Sequence, residues 1–170
     1  GYVGLKLHPA VDDYPADDPA LDAYLRVAAD AGATVAVHSG PGLADPARIT
    51  RLASRFPTVP VVLYHTFLGL PWGRRRAIHH AHDQPNLILE TSWCRSREVE
   101  RMIHVLGPDR VMFGSDATVD GPHHYASRNV QGVETYKEGM VRIARHLGPD
   151  AAHKVLSENA IKLFRLNSAH

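Results

Sequence analysis

Thr34-Val35-Ala36-Val37-His38-Ser39-Gly40 is the stretch on which the reading of the fold turns. Its apolar, largely β-branched residues run without a charge, a histidine closes the run, and Ser-Gly turns the chain away. A run this short and this apolar reads as a strand buried on both faces. The flanking segments have a helical period instead. Upstream, Pro19 to Ala31 reads as a helix, with Asp18 as N-cap, Pro19 in the first turn, Leu21, Leu25 and Ala28 in one stripe, and Gly32 as the stop. Downstream, Asp45 with Pro46 opens a second helix reaching about Phe56, before Pro57.

Working outward, the same alternation recurs. Strands are predicted over Tyr2 to Leu7, Thr34 to His38, Val59 to His65, Leu87 to Thr91 and Arg110 to Gly114. They lie about 25 to 30 residues apart, the spacing that parallel strands with helical crossovers need. Further helices are predicted from Pro71 to His82 and from Ser96 to Leu106, the latter capped by Ser96 and closed by Gly107-Pro108. After the fifth strand come a loop, a helix from about Gly132 to Leu147, and two short helices ending near Leu166, which are expected to close the outside of the structure. The chain opens on Gly1-Tyr2-Val3, with neither methionine nor helix-start signal, directly into a strand-like run, and this reads as a truncated boundary. The fold class is α/β, in one domain over residues 1–170.

Composition narrows the function. With 170 residues, 44% of them hydrophobic, the chain can bury a sizeable core. A formal net charge of +1, spread along the chain, gives no electrostatic footprint for nucleic acid or an anionic membrane, so a small polar substrate is the expected partner. No apolar run approaches the roughly 20 residues of a membrane span, and the default compartment is the cytoplasm. The single cysteine, Cys94, excludes an internal disulfide framework and a thiolate metal cluster. Twelve histidines are an excess, and histidine is the side chain best suited to metals and proton transfer near neutral pH.

In a parallel α/β structure, reacting groups gather where strands end, because the loops there share one crevice. The strand ends here are Lys6-Leu7-His8-Pro9, Val37-His38-Ser39-Gly40, Tyr64-His65-Thr66, Thr91-Ser92-Trp93 and Phe113-Gly114-Ser115-Asp116. His38, His65 and Asp116 offer the nitrogen and oxygen donors that a catalytic zinc ion takes while keeping one place for water. Each has a bland alternative: a satisfied core histidine for His38 and His65, a turn cap for Asp116.

The run Gly4-Leu5-Lys6-Leu7-His8-Pro9, then Val35-Ala36-Val37-His38-Ser39-Gly40, His65 with Gly69, Phe113-Gly114-Ser115-Asp116 and the closing Glu158-Asn159-Ala160-Ile161-Lys162-Leu163-Phe164 resemble the amidohydrolase-related family of metal-dependent hydrolases and decarboxylases. Their order and spacing match its strands four, five, six and eight and its last helix. The resemblance implies a partial (β/α)8 TIM barrel, strands four to eight plus C-terminal helices. It also implies a divalent metal, zinc by preference, held partly by His38, with His65 as ligand or catalytic group and Asp116 as ligand and proton acceptor. The family's strand-one His-x-His pair has no counterpart in this sequence, so the chain alone is expected to hold the metal weakly.

Lys6 and His8 share one face of their strand by period-two alternation. They are candidates for substrate contact, and Lys6 also for a metal ligand, as a carboxylated lysine is in some relatives. Trp93 either lines the substrate pocket or packs under a loop, and His123, with His124, lies in the loop beyond Asp116 on the mouth side. His79, His80 and His82 read as a solvated helix face. The expected activity is hydrolysis, with Asp116 moving protons, His65 polarising the developing oxyanion and His38 holding the metal. The alternatives are a non-oxidative decarboxylase or hydratase acting on an aromatic or unsaturated acid, and a non-catalytic partial barrel. Five strands of a closed barrel leave two open edges, so self-association is expected, and a homo-oligomer for the intact protein.

Overall fold

A computed structural model describes residues 2–116 and 136–166. Five strands form one all-parallel sheet in sequence order: β1 (Gly4–Leu7), β2 (Thr34–His38), β3 (Val61–Tyr64), β4 (Leu87–Glu90) and β5 (Val111–Met112). Gly4 pairs with Thr34, Val35 with Val61, Val61 with Leu87 and Leu89 with Val111. The crossovers carry helices α1 (Asp22–Ala31), α2 (Pro46–Arg55), α3 (Pro71–Asp83) and α4 (Ser96–Leu106). After β5 the described chain resumes in α5 (Tyr136–Leu147), followed by α6 (Pro149–His153), a π-helical turn (Lys154–Glu158) and α7 (Asn159–Phe164).

Period two splits the strands between two faces. Leu7, Val35, Val37, Val61, Leu63, Leu87, Leu89 and Val111 turn to the helical layer, where they meet Leu25, Ile49, Leu52, Ala77, Met102 and Ile143 in one core. Full burial of such side chains contributes about 1.5–3 kcal/mol each, which makes this layer the main source of stability. The opposite face carries a smaller cluster of Ala36, Val62, Ile88 and Met112.

That second face corrects one expectation. The last helix does not lie outside: Ala160, Leu163 and Phe164 of α7 pack on Ala36, Val62, Ile88 and Met112. Left bare, these side chains would stand in water. The stripe at i, i+3 and i+4 announces an apolar helix face without saying which sheet face it meets. Polar bonds pin the helix at the amino ends of the strands. Thr34 Oγ1 donates to the Leu163 carbonyl at 2.6 Å, and Arg165 donates to the carbonyls of Ala31 and Gly32 at 3.1 and 2.6 Å. The buried Asn159 amide donates to Pro108 and Val111 carbonyls at 2.7 and 2.8 Å, which ties α7 to the entry of β5.

Local signals hold with small shifts. Asp18 and Asp45 cap as expected, accepting from the amides of Ala20 and Ala47 at 2.8 and 2.9 Å, although Pro19–Leu21 is a 3-10 turn ahead of α1. Gly32, at φ 57°, closes α1 in the left-handed region that glycine enters freely. Ser96 is not the cap of α4 but its first residue; Glu98 reaches back to accept from the Arg95 amide at 2.8 Å. Strand β5 is shorter than expected because Arg110 belongs to a 3-10 turn, and β3 starts at Val61 and ends at Tyr64 because His65 leaves the ladder.

Replacing Asn159 by alanine removes both donors and strands two carbonyls. The substitution is expected to cost about 1–3 kcal/mol in urea unfolding; an unchanged midpoint would show that α7 is not held this way.

Candidate active site

The inward-facing positions climb each strand toward its carboxyl end. Lys6 pairs with Ala36, His38 with Tyr64, and Glu90 with Met112, so Lys6, His38, Tyr64 and Glu90 share the face opposite the helical core. Beyond the last ladder residues the chain turns sharply. His65, Thr66, Trp93 and Asp116 adopt φ values of 66°, 53°, 63° and 51°. Non-glycine residues in this region cost about 1–3 kcal/mol each and persist only where surrounding bonds enforce them.

For His65 and Thr66 those bonds converge on Glu90, which is 3% exposed. Its Oε2 accepts from the His65 amide at 2.8 Å and from the Ser92 hydroxyl at 2.6 Å, and its Oε1 accepts from the Ser92 amide at 2.7 Å. The Ser92 oxygen also lies 2.6 Å from His65 Nδ1. A Cβ on Gly114 would collide with this carboxylate, so only glycine lets the chain after β5 approach so closely. Thr66 is tied in through its hydroxyl, which donates to the Glu90 carbonyl at 2.8 Å.

The structure brings most of the expected site residues together. The His8 and His38 rings stack with centroids 4.0 Å apart, and His65 meets His38 edge-on at 5.0 Å. Lys6 Nζ sits 3.7 Å above the Tyr64 ring. The Trp93 indole donates to Asp116 Oδ2 at 2.9 Å, so Trp93 orients that carboxylate. His65, Ser92 and Asp116 line a cleft of about 270 Å³ together with Tyr64, Glu90 and the apolar Met112, Ala160 and Phe164. His8, His38 and Lys6 stand on the β1–β2 side and do not line that cleft. His123 lies outside the described residues. His79 and His82 pair with Asp83 on the exposed face of α3, as a solvated surface would.

Electrostatics bind these groups into one system. Burial, with the positive partners His8, His65 and Lys6, lowers the His38 pKa to about 4 against the opposing charge of Asp116. Burial likewise lowers His65 to about 4; Asp116 opposes, and Lys6, His8 and Arg74 reinforce. Lys6 keeps part of its side chain in solvent, yet burial of its ammonium brings it to about 8 although Glu90 and Asp116 pull the other way. Burial raises Glu90 above the usual carboxylate range against the hydrogen bonds from His65 and Ser92 and the charge of Lys6. Burial also pushes the half-buried Cys94 thiol up to about 12, which leaves it a poor nucleophile.

Glu90, Ser92 and Tyr64 were not singled out from the sequence. A signal was present for Glu90, a carboxylate ending the apolar run Leu87-Ile88-Leu89. A charge there must be paired once the strand is buried. The donors His38, His65 and Asp116 have the chemistry of zinc ligands, but among the described residues no group of three or more His, Cys, Asp or Glu is arranged to hold a metal ion. No helix of the described residues is long and apolar enough to cross a membrane.

Parallel βα units, a cleft at the carboxyl end of the sheet and histidines closing its strands define an incomplete TIM barrel. The amidohydrolase family model matches residues 1–166, and the chain belongs to that family. No curated protein matches it. Among solved structures it is similar to a 4-oxalomesaconate hydratase from Rhodopseudomonas palustris, with 17% identity, a TM-score of 0.67, and coverage of 96% of this chain and 55% of that one. It is similar to a 5-carboxyvanillate decarboxylase from Sphingomonas paucimobilis, with 18% identity, a TM-score of 0.66, and coverage of 97% and 59%. An uncharacterised TIM-barrel protein from Bordetella bronchiseptica gives 22% identity, a TM-score of 0.64, and coverage of 89% and 52%. The chain therefore spans a little over half the length of these structures.

The depressed imidazoles set a pH dependence. His38 and His65 are neutral in the fold well below their ordinary value of 6.5, so the unfolded chain binds more protons as pH falls. Their contribution is fully present above 6.5 and lost down to about 4. The urea midpoint is expected to fall across that window, less steeply in H38Q; a midpoint flat from pH 7 to 4 would contradict it.

Proposed function

We propose that this chain supplies the acid–base and substrate-orienting residues of a metal-dependent, non-oxidative decarboxylase or hydratase acting on a small unsaturated or aromatic acid. The observation that carries this reading is the pairing of a cation with an aromatic ring at the site: Lys6 stands over Tyr64, on the same sheet face as Glu90 and close enough to Asp116 to feel its charge. An ammonium there suits the carboxylate of an acid, and the Tyr64 wall suits its planar carbon frame. The similarity to a decarboxylase and a hydratase supports the same choice.

A divalent metal, zinc by donor chemistry, would supply Lewis-acid polarisation of the substrate's oxygens. His38 and Asp116 are the donors this chain offers it, and they do not complete a site among the described residues. The chain's own residues do the rest. Lys6 holds the substrate carboxylate, and Trp93 fixes the Asp116 carboxyl group through its indole N–H. Asp116 is placed to carry a proton. In decarboxylation the carbon–carboxylate bond breaks, its electron pair stays on the substrate carbon, that carbon takes a proton that Asp116 has relayed from solvent water, carbon dioxide leaves, and Asp116 is again a carboxylate. Hydrolysis of a lactone, ester or amide by the same groups is the second reading, favoured by the family itself.

The full-length protein, assayed with zinc against aromatic and unsaturated acids and against lactone, ester and amide panels, is expected to release carbon dioxide or hydrate the acid. Asp116→Asn should then lower kcat by at least about 100-fold with an unchanged urea midpoint. Cleavage of lactones, esters or amides alone would favour the second reading, and full activity of the Asn variant would remove Asp116 from the mechanism.

A further inference from the structure

Ser92 has one hydroxyl hydrogen and two close polar neighbours, Glu90 Oε2 and His65 Nδ1, each at 2.6 Å. Only one of those contacts can be donated by the hydroxyl. Glu90 receives a backbone N–H at each oxygen, from His65 at Oε2 and from Ser92 at Oε1, which holds it as an acceptor at both ends. The hydroxyl hydrogen therefore points to Glu90. The remaining contact, between the Ser92 oxygen and His65 Nδ1, must carry its hydrogen on the nitrogen.

We propose that Glu90 and Ser92 are positioning residues that hold His65 in the Nδ1–H tautomer and leave Nε2 as an unprotonated lone pair. The relay is needed because Glu90 cannot do this directly: its Oε2 lies 3.9 Å from Nδ1, beyond hydrogen-bond range. The geometry makes it rigid. The same carboxylate binds the main chain of both His65 and Ser92, so the ring and the hydroxyl that orients it share one anchor. The enclosure is close: His65 is 5%, Ser92 1% and Glu90 3% exposed, so no bulk water competes for these bonds. An imidazole oriented in this way presents Nε2 as a ligand or base on the side of the ring away from Ser92, whichever reaction the site performs. The inference thus stands apart from the choice between decarboxylation, hydration and hydrolysis.

The test is the tautomer itself, read by long-range proton–nitrogen correlation NMR on the nitrogen-15-labelled chain at pH 7, without metal. The His65 ring is assigned by its disappearance in H65Q. The wild type is expected to show a pyrrole-type shift at His65 Nδ1 and a pyridine-type shift at Nε2. Imidazole free in water favours the opposite tautomer, so Ser92→Ala should move the proton largely to Nε2, while Ser92→Thr, which keeps the hydroxyl, should retain it on Nδ1. A wild-type ring protonated at Nε2 would overturn the proposal without recourse to any variant, and would place the relay's proton on Glu90. An unchanged tautomer in S92A, or an alanine-like spectrum in S92T, would overturn it as well.

Discussion

One buried carboxylate organises the carboxyl end of this sheet. Glu90 closes β4 in a setting where an ionised group is costly to desolvate, and it survives there because three donors from His65 and Ser92 surround it. The consequences reach three strands. His65 is turned out of β3 at positive φ by the bond from its amide, the chain after β5 must be glycine at position 114 to pass the carboxylate, and Ser92 is placed against the imidazole. Removing one partner from such a network leaves the others unsatisfied, so it behaves as a unit.

The two faces of the sheet divide the work. The helical side is a continuous apolar core from Leu7 to Val155, whose helices α1 to α4 stand over strands paired in strict sequence order. The other side has a thin apolar floor, covered by α7, and a polar rim. Stability and chemistry are thereby separated. Side chains from Lys6 to Asp116 bring mutually unfavourable charges and positive-φ backbone together at the rim, on the face opposite the main apolar core.

Much of this was legible in the sequence, and the reasons are specific. Val35-Ala36-Val37 and Leu87-Ile88-Leu89 are short apolar runs bounded by turn residues and alternating with helical segments, the pattern of buried parallel strands, and Asp18, Asp45 and Gly32 punctuate the helices by side-chain or backbone chemistry that acts locally. Strand-end position singled out His38, His65, Trp93 and Asp116. What escaped was set by tertiary contacts. The face α7 covers depends on where the chain returns, the cap of α4 falls to Glu98 because Ser96 is already helical, and the role of Glu90 appears only once Ser92 and His65 are seen to share it. A carboxylate closing an apolar strand is the signal that would have found it.

We propose that a divalent metal bound by the whole protein meets this chain at the carboxyl ends of the strands, at His38 and Asp116, although the described residues by themselves form no metal-holding group. Anomalous diffraction at the zinc edge, from crystals of the full-length protein grown with zinc, tests it most directly. A zinc ion bonded to His38 Nε2 or an Asp116 oxygen on the inner face of the sheet is expected. Zinc found only on the exposed His79, His82 and Asp83 surface of α3, with none at the strand ends, would contradict it.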